Sequence, residues 1–119
     1  MKINSFFGNL FPFNRQNIYT SVRVAQEHGI HSRPSAAIAR LTSQTDKPMF
    51  FSYNGSEWKN IRASMLSVLL MGIPEGAKLK IKTPKNYPKE IFKNVVEVLT
   101  TKDAEDCRKF LHLQDLHKF

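Results

Sequence analysis

Cysteine is almost missing from this 119-residue chain, where Cys107 stands alone. One thiol excludes an internal disulfide and a cysteine-built metal cluster, and it suits a protein kept in a reducing cytoplasm. Long apolar runs are missing too, so no segment approaches the roughly 20 residues that a membrane span requires. Residues 1–18 hold Phe6, Phe7, Phe11 and Phe13, but Gly8, Asn9 and Pro12 interrupt them. The continuous apolar stretch of a signal peptide is therefore not expected. There is no internal repeat and no low-complexity segment. Acidic side chains are few, ten against eighteen Lys and Arg, which leaves a net charge of +8. The excess lies mainly in residues 19–83, where nine Lys or Arg face only Glu27, Asp46, Glu57 and Glu75. Acidic partner surfaces or nucleic acid would both answer such a charge, and charge alone does not choose between them.

What is present reads as one globular domain, with 41% apolar and 24% charged residues. Residues 18–25 alternate, with Ile18, Thr20, Val22 and Val24 sharing a face. After a loop at 26–30, Pro34, Ala37, Ile38 and Leu41 follow helical spacing, with Ser32 as the expected N-cap. Residues 48–53 suit a strand, Asn54-Gly55 signals a hairpin, and residues 58–61 are the expected return. Ser64 should open a second helix with Leu66, Leu69, Leu70 and Ile73 as its buried stripe, closed by Gly72 and Pro74. Residues 77–83 alternate between apolar residues and lysine, so that strand should have one wet face. Pro88 starts a third helix with Ile91, Phe92, Val95, Val98 and Leu99 inward. Residues 103–117 suit a terminal helix with Phe110, Leu111, Leu113 and Leu116 on its apolar side. The order β-α-β-β-α-β-α, with an appended helix, predicts an α+β open-faced sandwich: a four-stranded antiparallel sheet with three helices on one face.

Chemistry concentrates at Gly29-Ile30-His31-Ser32-Arg33-Pro34, where strand gives way to helix. Free backbone N–H groups at a helix start attract anions, and Arg33 adds a fixed positive charge. The positive end of the helix dipole favours an uncharged His31 ring with a free nitrogen lone pair. Such a ring is a candidate phosphate acceptor, and new negative charge on it would meet the N–H of the first turn, including that of Ser32, and Arg33. The plainer alternatives are a loop histidine satisfying a local hydrogen bond and an arginine that is merely solvated. His28, His112 and His117 form no metal-ligand pattern with Cys107, and no metal or cofactor is expected.

Two segments resemble HPr, the histidine-containing phosphocarrier of the bacterial phosphoenolpyruvate-dependent sugar phosphotransferase system. Residues 29–34 look like that family's phosphorylation loop, and Ser64-Met65-Leu66-Ser67-Val68-Leu69-Leu70-Met71-Gly72-Ile73 looks like its regulatory-serine helix. Both stand in the family's order, with residues 1–17 as an N-terminal arm, 18–101 as the HPr-like domain and 102–119 as a C-terminal helical extension. The resemblance implies that His31 takes a phosphoryl group from enzyme I and passes it to a sugar-specific enzyme II A component. The chain would then be a cytoplasmic phosphoryl carrier rather than an autonomous enzyme, with no membrane insertion.

The resemblance also implies that Ser64 is the target of HPr kinase/phosphorylase, with a downstream regulator as a further partner; the alternative is a plain N-cap. Met65, Leu66 and Leu69 read as a partner-docking patch or as core, with Leu66 expected largely inward and Met65 more exposed. Ile61-Arg62-Ala63 stand where the family usually has Asn-x-Lys. A regulatory protein acting mainly through Ser64 is the second reading. The third is an RNA-binding sheet using Phe51, Tyr53 and Trp58, but the basic residues look scattered, so nucleic acid is not an expected partner.

Overall fold

Alternation sets the sheet. Strand β4 (Lys78–Pro84) buries Leu79, Ile81 and Thr83 and leaves Lys78 and Lys80 in solvent, as its period of two dictates. The structure, a computed structural model, describes residues 16–111. On one side of β4 lies β1 (Asn17–Arg23), paired from Asn17↔Pro84 to Arg23↔Lys78. On the other lies β2 (Phe50–Tyr53), paired from Phe50↔Lys82 to Tyr53↔Leu79. The short β3 (Lys59–Asn60) completes the order β1-β4-β2-β3, and every pairing is antiparallel. The expected α+β open-faced sandwich is the fold observed.

The helices supply the rest of the core. Helix α1 (Ser32–Thr42) buries Pro34, Ala37, Ile38 and Leu41, the stripe that its spacing predicts. Ile38 and Leu41 are wholly sequestered, each adding about 1.5–3 kcal/mol of burial free energy. Between β3 and β4 runs the six-residue helix α2 (Met65–Leu70). Helix α3 (Lys89–Thr100) packs Ile91, Val95, Val98 and Leu99 inward, with Phe92 only partly covered. A 3₁₀ turn (Ala104–Cys107) leads into the short α4 (Arg108–Leu111). Cys107 and Phe110 join the same core cluster as Ile38 and Leu99, so this part of the extension is welded to the sandwich.

Several local expectations need correction. The cap of α1 is His31, not Ser32, which is already helical. Extended geometry at His31 lets its carbonyl accept the first helical hydrogen bond, from Ser35 N at 3.0 Å. The strand expected at 58–61 shrinks to Lys59–Asn60, because the hairpin turn takes in more than its two central residues. Asn54 and Gly55 both have positive φ, Ser56 N bonds Tyr53 O at 3.1 Å, and Ser52 Oγ donates to Ser56 O at 2.7 Å. Phe51 is fully buried and Tyr53 packs against the core, so neither lies on an open basic face. The helix expected over 103–117 begins as a 3₁₀ turn, where Asp103 Oδ1 accepts from Glu105 N. Leu113, Leu116, His112 and His117, like the N-terminal arm up to residue 15, lie outside the described residues.

The largest correction concerns α2. Leu66 is 62% exposed and Leu70 is 76% exposed, whereas Val68 is wholly buried. At about 100° per residue, Val68 points opposite to Leu66 and Leu70. The helix ends at Leu70, so the stripe that Ile73 would have completed never forms. One small branched residue anchors the helix, and its most apolar face meets solvent.

Candidate functional site

The loop before α1 is held by backbone, which fixes His31 without covering it. Gly29 N donates to Gln26 O at 2.9 Å, and Ile30 N donates to Ile73 O at 2.9 Å. Behind them, Gly76 N bonds Val24 O and Val24 N bonds Ala77 O, both at 2.8 Å. His28 and Gly29 take left-handed geometry in succession, with φ of 70° and 80°. A Cβ on Gly29 would stand 2.5 Å from Ile73 O, so only glycine permits this approach. Ile30 is buried, and its side chain anchors the loop.

His31 is half-exposed and caps α1 through its backbone, with no side-chain cap hydrogen bond. The ring is therefore not spent on the helix. Ser35 N is the first amide to bond within the helix, and Pro34 has no N–H. The Ser32 and Arg33 amides are thus left as donors at the helix's positive end. An anion attached to the His31 ring would find them there.

Arg33 is not a solvated charge. Its guanidinium is hydrogen-bonded and ion-paired to Glu105 of the C-terminal 3₁₀ turn. Arg108 Nη2 shares the same carboxylate, donating to Oε1 at 3.0 Å. Hydrogen bonds from Arg33 and Arg108 hold the Glu105 carboxyl below the usual carboxylate range. The turn itself is tied to the loop ahead of His31. Glu27 N donates to Lys102 O at 2.8 Å, and Gln26 Nε2 reaches Cys107 Sγ at 3.2 Å and Val98 O at 2.9 Å. Burial raises the Cys107 thiol pKa. The sequence reading missed Glu105, because no local pattern links a residue after α3 to one in the first turn of α1.

Ser64 is the N-cap of α2. Its Oγ accepts from Ser67 N at 3.0 Å and donates to Ser67 Oγ at 2.8 Å. The residue before it, Ala63, has a positive φ of 55°, and its N–H reaches Thr42 Oγ1 at 2.9 Å. Met65, Leu66 and Leu70 lie exposed on the helix that Ser64 starts, while Leu69 is half-buried. Leu70 also lines an open groove with Tyr53, Asn60 and Met71. Among the described residues, no three metal-ligating side chains come together, and no helix is long and apolar enough to cross a membrane.

Comparison with known proteins matches residues 18–101 to a family model described as the PTS HPr component phosphorylation site. Solved structures share the fold. A phosphocarrier protein HPr from Bacillus anthracis superposes with a TM-score of 0.61 at 18% identity, covering 70% of this chain and 96% of its own. HPr-C-His from Thermoanaerobacter tengcongensis gives 0.59 at 17% identity, over 69% and 90% of the two chains. A mycoplasma histidine-containing phosphocarrier protein gives 0.59 at 20% identity, over 68% and 90%.

Proposed function

Since this chain belongs to the PTS-HPr family, we propose that it is a phosphocarrier in which His31 takes a phosphoryl group from enzyme I and hands it to a sugar-specific A component. One observation carries the reading. His31 caps a helix while its ring makes no cap hydrogen bond, so a nucleophile is held in place and left unoccupied. The lone pair of the unprotonated ring nitrogen attacks phosphorus as the bond from phosphorus to the donor atom breaks. The donor atom keeps that electron pair, and His31 keeps its proton on the other nitrogen. The reverse sequence discharges the group onto the next acceptor. Amides of Ser32 and Arg33 meet the new charge, and half-exposure leaves the ring open to both partners. No cofactor enters this scheme, and the relay belongs in the cytoplasm.

The Arg33–Glu105 pair gives the carrier a particular balance. The Glu105 carboxylate offsets part of the Arg33 charge, so phosphohistidine is stabilised less than a free arginine would allow. A group that must be given away again is served by that restraint. The test is incubation with phosphoenolpyruvate and enzyme I, followed by mass spectrometry for acid-labile phosphate. The expected label sits on His31 and is lost in His31→Ala. Label retained in that variant would make another residue the acceptor.

A second input at Ser64 is supported by the exposed Met65, Leu66 and Leu70 beside it. Phosphate at the start of α2 would set charge against an apolar docking patch without removing an acceptor from the cap. HPr kinase/phosphorylase with ATP should then label Ser64 and leave His31 unlabelled, and a regulator would read the altered patch.

A further inference from the structure

The sheet face turned away from the helices carries its own constellation. Outward positions pair Tyr19 with Lys82 and Lys82 with Phe50, then Ser21 with Lys80, then Arg23 with Lys78. Lys82 Nζ lies 4.6 Å from the Phe50 ring centroid and 5.0 Å from that of Trp58. Tyr19 meets Trp58 edge to face, with centroids 5.9 Å apart at 63°. None of the four strands contains Asp or Glu. Glu57 is the carboxylate next to Trp58 in sequence, and it is exposed in the hairpin connection. Three half-exposed rings thus gather around Lys82, and Lys80, Lys78 and Arg23 extend the positive row along the same face, which α1, with His31, does not occupy.

We propose that this face binds single-stranded nucleic acid, bases stacking on Tyr19, Phe50 and Trp58 and phosphates meeting the lysine row of β4. Interleaved planes and cations suit this ligand, because every base offers a π-face and every nucleotide a negative charge. An acidic peptide would satisfy the lysines and leave the rings unused. The chain's own N-terminal arm fits less well, since residues 1–15 carry Lys2 and Arg15 and no acidic residue. The expectation drawn from sequence, that cations are scattered away from exposed aromatics, fails on geometry. Tyr19 and Phe50, rather than Phe51 and Tyr53, face outward, and Lys82 lies in register between them, with Lys80 and Lys78 further along β4.

Trp58 is the only tryptophan in the chain, so its emission reports directly on this face. The full chain is titrated with oligouridylate of about ten nucleotides, within the span of known stacking platforms. Trp58 fluorescence should be quenched, and affinity should fall about tenfold or more between roughly 50 and 200 mM salt. Phe50→Ala should weaken binding about fivefold or more. Lys82→Gln should weaken it too and flatten the salt dependence. Both variants should keep phosphate acceptance at His31, which separates this proposal from the carrier reading and shows that they fold.

Absence of quenching overturns the proposal, as does binding that both variants leave unchanged. Equal quenching by polyglutamate would make the face a site for acidic protein. Equal quenching by duplex RNA would remove stacking from the account. A shift of Trp58 emission in Phe11→Ser/Phe13→Ser without nucleic acid would make the arm the occupant. Each of these results also overturns the proposal.

Discussion

The Arg33 guanidinium in the first turn of α1 is paired with the Glu105 carboxylate, 72 residues further along the chain. The contact joins the loop that presents His31 to the segment following α3. Arg108 shares the carboxylate, so a single acidic side chain holds two guanidinium groups at the edge of the candidate site. A phosphoryl group on His31 would compete with Glu105 for Arg33. Glu105→Gln should therefore raise the fraction of phosphohistidine at equilibrium with a fixed donor by about two- to fivefold, the scale of an exposed ion pair. Quantification of acid-labile phosphate checks this. An unchanged fraction would mean that Arg33 does not contribute to holding the phosphate.

The same pair sets a pH dependence. The Glu105 carboxyl is held below its ordinary value of 4.5, chiefly by the hydrogen bonds from Arg33 and Arg108. A group whose pKa is lowered on folding stabilises the folded state fully above its unfolded value and loses that contribution as pH falls through the folded value. The melting-temperature difference between wild type and Glu105→Gln should hold steady from neutral pH down to about 4.5. Below that it should shrink toward zero. A difference that grew on acidification would reverse the sign and refute the pairing.

Gly29 is the point of closest backbone approach in the loop before α1. Gly29→Ala forces a methyl group to 2.5 Å from Ile73 O, in a conformation with φ of 80° that L-residues resist. Either Ile30 leaves the core or the turn at 73–77 shifts. The expected cost is about 2 kcal/mol or more in urea unfolding. Phosphate acceptance should fall as well, because the His31 amide also bonds Gly29 O. Wild-type stability in this variant would contradict the close approach.

Capping at Ser64 predicts a smaller effect. Ser64→Ala removes the acceptor for Ser67 N and should cost about 1 kcal/mol, measured by thermal or urea unfolding. Ser64→Asp retains an acceptor and should recover most of that loss. A neutral Ser64→Ala would show that the hydroxyl is not needed to start α2.

Legibility in the sequence followed the length of each pattern. The alternation of β4 and the stripe of α1 extend over enough residues for periodicity to identify the buried face, and the structure keeps both. The candidate phosphoryl-acceptor loop is legible because Gly29, His31, Arg33 and Pro34 form one contiguous segment. Helix α2 departs from its expected stripe because six residues make under two turns, too few for a stripe to outweigh the single anchor Val68. Arg33–Glu105 and the outward rings of Tyr19, Phe50 and Trp58 are tertiary relationships. Register between strands, and the path of the chain after α3, decide them, and neither is written in local spacing.

Leu66 and Leu70 are each more than half exposed, on a helix held to the core by Val68. Exposed leucines on one side of a short helix are costly to leave in water and useful only if something covers them. Replacing both with serine should change stability by no more than about 0.5 kcal/mol per site, since neither fills the core. If the patch docks enzyme I, the double variant should raise the KM for phosphate acceptance by about tenfold, the scale of removing an interfacial anchor. The turnover number should hold, because His31 and the amides of α1 are untouched. Val68→Ala provides the opposite signature, with about 1–2 kcal/mol lost from the fold through a vacated buried site. A stability loss from the leucine pair as large as that from Val68→Ala would assign both leucines to the core and remove the docking patch.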